Sequence, residues 1–303
     1  MEAAQIAFNV IVVVFIISTM FGAGLATTIP ALKAMLSNVK LWVAVLIANV
    51  IVVPLLGWGV AEVFDLAAPA ATAMILFASS PGGPFGAKTA MIQKGEVVLG
   101  AALQVLLASV GSVTFAIVAN KILTWADVGG GVSLDVWQLV KTVAILQLLP
   151  FAIGLFLRYS REDEAKSWAP TALKISNMSL LVVLALMLLG SWSQLVDLLG
   201  SRTLLAAIVL AILAMAVGYL VSFGPEKTRT TTATLAPIRN AGPVFAAIGI
   251  AFNNDPDILA ALAGILILGS IIPLVVSGAL GKRRTLPGED AADAAPTAAS
   301  PAT

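Results

Sequence analysis

Apolar stretches of roughly 20 residues, the length that spans a bilayer as one helix, follow one another along the chain. Short polar segments separate them. This pattern predicts an all-α integral membrane fold with about nine transmembrane helices. The predicted spans lie near residues 5–27, 40–63, 67–93, 96–122, 136–158, 171–198, 203–223, 229–253 and 257–281.

Basic residues indicate which side of the membrane each loop occupies. An odd number of crossings places the two termini on opposite faces, and alternate loops share a face. One face then holds most of the lysines and arginines, whereas the other holds Lys121, Lys141 and Arg202. Because cytoplasmic loops are enriched in basic residues, we expect a multi-pass protein of the inner (plasma) membrane, with its N-terminus outside and its C-terminus cytoplasmic.

Composition narrows the possible functions. The chain is 59% hydrophobic and 11% charged, which excludes an ordinary soluble enzyme and a nucleic-acid-binding protein. It contains no Cys and no His, so thiolate and imidazole chemistry are excluded. Residues 1–281 are predicted to form one transmembrane transporter domain. Residues 282–303 are rich in Ala, Pro, Thr and Ser and are predicted to be a disordered cytoplasmic tail.

Two predicted spans, the third and the eighth, contain helix-breaking residues that are related by a shift of 159 positions. The shift places Gly83-Pro84 on Gly242-Pro243, and it crosses an odd number of spans, so the two copies have opposite orientations. Such a pair is typical of inverted-repeat transporters. The residues expected to break the helices are Pro81, Gly82, Gly83, Pro84, Gly242 and Pro243.

Each interrupted span is predicted to form two half-helices that meet near the middle of the membrane. Proline has no N–H and fits the first position of a helix, so the second halves are expected to begin at Pro84 and Pro243. Their positive ends would face a shared central site. The alternative is a pair of simple proline kinks.

Two cations, Lys88 and Arg239, lie well inside the predicted spans, and no Asp or Glu accompanies them there. A central Lys or Arg costs roughly 2.5–3.5 kcal/mol on insertion scales. Two cations beside two positive helix ends indicate an anion site. For Lys88, the alternative is a side chain that extends to the cytoplasmic edge of the membrane. The same lack of acidic, His and Cys side chains argues against an intramembrane enzyme.

Three segments resemble the bile acid:sodium symporter family: Met20-Phe21-Gly22-Ala23-Gly24-Leu25, Pro81-Gly82-Gly83 and Arg239-Asn240-Ala241-Gly242. The resemblance covers about residues 10–281. It implies a panel domain formed by the spans near 5–27, 136–158 and 171–198. It also implies a core domain, near 40–122 and 203–281, in which the two broken helices cross at the substrate and sodium sites. The substrates of the family are organic anions.

The positions that the resemblance assigns to sodium carry unsuitable side chains. The sodium ligands of the family fall on Gly86-Ala87, Gly100, Gln104, Leu235 and Arg239, and only the adjacent Asn240 matches. Sodium requires several oxygen ligands, so we expect no sodium at these positions and no other cofactor or metal. Lys88 and Arg239 are predicted to replace the missing cation charges.

The sequence therefore predicts a secondary active transporter that moves a small organic anion by alternating access in the lipid bilayer. Alternatives are a sodium-coupled symporter with other ligands, a proton-coupled carrier that uses Lys88, or an anion channel. We interpret Asn49, Gln147 and Asn177 as packing residues. The candidate substrate-binding residues are Arg239, Asn240, Lys88, Ser79, Ser80, Thr89, Gln104 and Thr234, with Gln93 as a further polar candidate.

Overall fold

A computed structural model describes residues 2–30, 37–83, 86–128, 135–190 and 200–284, and the single positions 33, 193, 196 and 198. This part of the chain is all-helical, with one isolated β-bridge. The helices are α1 (Glu2–Ala26), α2 (Val39–Val63), α3 (Ala68–Ala78), α4 (Gly86–Ile92), α5 (Val97–Trp125), α6 (Val136–Val143, continuing to Leu149–Ser160), α7 (Glu162–Gly190), α8 (Arg202–Leu220), α9 (Glu226–Leu235), α10 (Ala241–Ala251) and α11 (Pro256–Arg283).

Six of these helices, α1, α2, α5, α6, α8 and α11, are long and apolar enough to cross a membrane. Two shorter apolar helices, α3 and α10, accompany them. Large apolar side chains remain on the outer surface of the bundle, among them Ile117, Ile212 and Val275. An apolar surface of this kind is suited to lipid rather than water, and the chain is a multi-pass membrane protein.

The third and eighth predicted spans are both interrupted in the structure. The third consists of α3 and α4, and the eighth consists of α9 and α10. The predicted helix start at Pro243 is wrong, because α10 begins at Ala241. The Asn240 side chain accepts a hydrogen bond from the Gly242 N–H at 3.1 Å and so caps the helix two residues earlier. Pro84 lies outside the described residues.

Two other predicted boundaries also differ from the structure. Helix α7 begins at Glu162, well before the apolar stretch from 171, and Glu162 forms ion pairs with Arg158 at 3.5 Å and with Lys166 at 2.7 Å. Helix α11 extends through Arg283, so the first residues of the predicted tail are helical. Residues 285–303 lie outside the described part of the chain.

Glycines bring α1 and α6 into close contact. A Cβ on Gly24 would clash with the Phe151 carbonyl oxygen, and a Cβ on Gly154 would clash with the Phe21 carbonyl oxygen. Small residues allow membrane helices to approach this closely. Helix α1 also packs along α7, whereas α3 packs between α2 and α11 within the main apolar core. This arrangement holds the two interrupted segments in the interior.

Candidate functional site

The two helix breaks contact each other through their backbones. Pro81 and Arg239 form an antiparallel bridge, beside which the Asn240 N–H donates to the Ser80 carbonyl at 2.8 Å. The Gly83 N–H donates to the Ile238 carbonyl at 3.1 Å, and Ser80 Oγ donates to the Asn240 carbonyl at 2.6 Å. Each break therefore satisfies backbone groups that the other has freed, which lipid could not do.

Glycine is required where the breaks cross. Gly82 has φ +85°, a conformation that other residues rarely adopt, and it packs against the α5 backbone at Ala108. A Cβ on Gly83 would lie 2.6 Å from the Arg239 carbonyl carbon and 2.9 Å from Ile238 Cγ2. The crossing can therefore form only with a bare backbone at these two positions.

Arg239 is buried at the crossing and has only neutral partners there. Its side chain is 4% exposed, and Nη1 donates to Asn49 Oδ1 at 3.2 Å and to the Asn49 carbonyl at 3.4 Å. Nη2 has no hydrogen-bond partner in the described structure, and no acidic residue in that part of the chain forms an ion pair with Arg239. The crossing therefore carries a buried positive charge that no carboxylate neutralises.

Asn240 connects the second break to helices α5 and α6. Asn240 Nδ2 donates to Gln147 Oε1 at 2.9 Å, and Ser112 Oγ donates to the same oxygen at 3.1 Å. Gln147 is fully buried, and its Nε2 has no hydrogen-bond partner among the described residues. Arg239 is thus held by the Asn49 amide on α2, and the neighbouring Asn240 is held by the Gln147 amide on α6.

Asn49 and Gln147, which the sequence analysis interprets as packing residues, both hydrogen-bond directly to the second break. Each lies in a π-helical turn, Ala48–Val52 or Ala144–Leu148, of a type often found at functional sites. The sequence did contain a signal for both residues. Each is an amide side chain within an apolar span, and each lies a few positions before a proline, Pro54 for Asn49 and Pro150 for Gln147.

Lys88 lines a partly open cavity of about 340 Å³ between α1, α4, α5 and α7. We call it the Lys88 cavity. Arg239 and Asn240 are not among the residues that line it. Its polar lining consists of Lys88, Gln104, Thr19, Thr27 and Asn177.

The remaining predicted residues lie away from that lining. Gln93 Nε2 donates to Thr234 Oγ1 at 2.7 Å, and Thr234 Oγ1 lies 3.4 Å from Thr89 Oγ1. This buried cluster joins α4 to α9. Ser79 is also buried, next to the crossing, and its Oγ has no partner in the part of the chain that the structure describes. The structure thus divides the predicted site into a crossing, a helix-joining cluster and the Lys88 cavity.

Comparison with known proteins identifies the family. The profile of the Sodium Bile acid symporter family matches residues 13–198, more than half of the chain. The chain belongs to this family. Members of the sodium bile acid symporter family are transporters, not enzymes.

Two plant proteins are similar to the chain. The probable sodium/metabolite cotransporter BASS2, chloroplastic, of Oryza sativa subsp. japonica is 29% identical over 188 residues, which cover 61% of this chain and 43% of the relative. The probable sodium/metabolite cotransporter BASS1, chloroplastic, of Arabidopsis thaliana is 26% identical over 204 residues, which cover 67% of this chain and 49% of the relative. The chain spans about half the length of these curated relatives.

The positions that the family resemblance assigns to sodium are close together in this member. A Cβ on Gly86 would lie 3.2 Å from Leu235 Cγ and 3.3 Å from Gln104 Oε1, and Gly100 packs against Ala90. Leu235 is 1% exposed. Apart from Gln104, these side chains offer no oxygen atoms, so the residues present do not fit a sodium site.

Proposed function

We propose that this chain is a secondary active transporter that moves a small organic anion by alternating access, with Arg239 and Lys88 supplying the positive charge that sodium supplies elsewhere in the family. The observation that carries the proposal is the buried Arg239 guanidinium, which has no acidic partner in the described structure. The names of the two plant relatives describe sodium/metabolite cotransport. We propose that this chain transports a metabolite, as the names of these relatives indicate for them, but that it lacks the sodium ligands of the family.

An inverted repeat is supported by the symmetry of the crossing. The shift of 159 positions that relates the two breaks carries Pro81 onto Asn240 and Ser80 onto Arg239. It therefore exchanges the bridged pair Pro81–Arg239 with the neighbouring pair Ser80–Asn240. A twofold axis in the membrane plane between two inverted copies would produce this exchange.

The proposed panel and core are supported by the packing of the helices. Helices α1, α6 and α7, which occupy the predicted panel spans, pack against one another. The Lys88 cavity has α1 and α7 on one side and α4 and α5 on the other. A substrate held there would lie between two bodies that can move relative to each other, as alternating access requires.

Fixed cations change the energetics of transport. A positive charge held in a medium of low dielectric constant attracts an anion more strongly than the same charge in water. Because Arg and Lys remain attached to the protein, the anion can be bound without a co-transported sodium. Without a co-transported ion, each transport cycle moves the net negative charge of the anion, so the membrane potential would drive transport.

The proposal is tested by sodium replacement in proteoliposomes. A thermal-shift screen of the purified protein against organic anions, with and without sodium, first identifies an anion that binds. That anion is then radiolabelled and used as the substrate in the uptake assay. We expect the initial uptake rate to be unchanged when choline or potassium replaces sodium. A steep dependence on sodium would contradict the proposal.

Paired variants of Arg239 provide the matched control. Arg239→Gln is expected to lower the uptake rate by about tenfold or more, because it removes a buried positive charge that would attract the anion through a medium of low dielectric constant. Arg239→Lys keeps the charge and should retain more of the rate. Equal loss in both variants would show that the shape of the arginine, and not its charge, is what matters.

A further inference from the structure

A second cavity, of about 410 Å³, lies where α1 and α6 end and α7 begins. We call it the vestibule. Its polar lining consists of Thr27, Thr28, Arg158, Tyr159 and Glu162. Thr27 also lines the Lys88 cavity, so one side chain borders both spaces. Thr27 is 5% exposed and donates through Oγ1 to the Ala23 carbonyl at 2.7 Å, which holds its side chain against the end of α1.

The vestibule carries a cation that is only partly neutralised. The Arg158 side chain is 15% exposed and pairs with Glu162 at 3.5 Å, whereas Lys166 approaches Glu162 to 2.7 Å. The Lys166 hydrogen bond and charge, followed by the Arg158 charge, hold the pKa of Glu162 below its ordinary value. Two cations therefore share one carboxylate, and the closer partner of that carboxylate is Lys166 rather than Arg158.

We propose that the vestibule is a recruitment site for organic anions, in which Arg158 binds the anionic group before it passes Thr27 into the Lys88 cavity. A carboxylate or sulfonate would pair with the Arg158 guanidinium, which can donate two parallel hydrogen bonds to such a group. Glu162 would keep Lys166 as its partner. The nature of the cargo rests on the function proposed above, whereas the binding of anions in the vestibule can be measured without transport.

The natural absence of cysteine allows a direct test. Thr27→Cys places a single thiol at the wall between the cavities. The purified variant is treated in detergent with the anionic sulfonatoethyl methanethiosulfonate and, separately, with the cationic trimethylammonium-ethyl reagent. We expect the anionic reagent to react faster, after correction for the rates with a free thiol.

Charge variants show whether Arg158 causes that preference. Adding Arg158→Gln should lower the anion-to-cation rate ratio by about fivefold, since the reagents carry opposite charges near the same site. Arg161→Gln is the matched control, because it removes the same charge from a side chain that is 70% exposed and does not line the vestibule. It should leave the ratio nearly unchanged.

The inference is overturned if the thiol at position 27 does not react, or if Arg158→Gln and Arg161→Gln have equal effects. Should Arg158→Gln fail to fold, Glu162→Gln gives the complementary test, because it should raise the ratio. The same variants are then assayed for anion uptake. Charge-selective labelling without any anion uptake would contradict the proposed transport function alone. Anion uptake without charge-selective labelling would contradict only the proposed recruitment of anions in the vestibule.

Discussion

At the scale of single residues, the unusual feature is how Arg239 is held. Asn49 supplies both of its hydrogen-bond acceptors, a side-chain amide oxygen and a backbone carbonyl, and neither carries a negative charge. A carboxylate in the same place would neutralise the guanidinium. The amide instead positions it and leaves its charge available, which is the arrangement that an anion site needs.

This pairing can be measured with a double-mutant cycle. Asn49→Ala removes the side-chain acceptor and should lower the free energy of unfolding by about 1–3 kcal/mol, because the buried guanidinium keeps only its longer bond to the backbone carbonyl of residue 49. Combined with Arg239→Gln, the loss should be smaller than the sum of the two single losses, by about 0.5–3 kcal/mol. Unfolding in detergent measures both quantities.

Asn177→Ala is the control for that cycle. Asn177 is exposed and lines the Lys88 cavity, so the same change there should alter stability little. Strict additivity of Asn49→Ala and Arg239→Gln would mean that the contact contributes no stability.

At the scale of elements, the crossing is a short antiparallel contact between two interrupted helices. The bridge at Pro81 and Arg239 makes each break the hydrogen-bond partner of the other. The second break fills the space beside the Gly83 backbone, and α5 fills the space beside Gly82, so the fit depends on the missing side chains of these two glycines. The two breaks therefore form one structural unit.

Gly83→Ala should disrupt that unit. The added methyl group would overlap the Arg239 carbonyl, and overpacking of this kind costs about 1–3 kcal/mol. We expect a lower midpoint of thermal unfolding and a loss of anion uptake. Gly278→Ala in α11 is the control, since a Cβ there has no neighbour within 4 Å. If both variants unfold at the same temperature, the crossing is looser than the structure indicates.

The breaks were predictable from the sequence, but their partners were not. Gly and Pro limit the backbone locally, so Gly83 and Gly242 marked both interruptions. The early start of α10 depends on a side-chain cap by Asn240, and a proline in the third position is compatible with it. The hydrogen bonds of Asn49 and Gln147 to the second break depend on tertiary packing, which hydrophobic periodicity does not encode.

At the scale of the whole molecule, the distribution of charge predicts the orientation in the membrane. Arg158 and Lys166, beside the vestibule, lie on the side with most of the basic residues, and the loop after α5 lies on the other side. If basic loops are cytoplasmic, the vestibule opens to the cytoplasm. Recruitment of anions would then begin from inside the cell.

Reporter fusions in a bacterial host test this orientation. Green fluorescent protein fused after residue 284 should fluoresce, and alkaline phosphatase fused there should be inactive, because the C-terminus is predicted to be cytoplasmic. Fusions after residue 127, in the loop that follows α5, should give the opposite pattern. The reverse result at both sites would place the vestibule on the outer face.

The crossing also has a consequence in time. Ser80 and Asn240 are 160 positions apart in the chain, and a ribosome adds about 5–20 residues per second. The first break is therefore made roughly 8–32 s before its partner exists. During that interval, the free backbone N–H and carbonyl groups of the first break must be hydrogen-bonded by water or shielded by the insertion machinery, since lipid cannot satisfy them. The first break can therefore complete its backbone hydrogen bonds only after the second break has been synthesised and inserted.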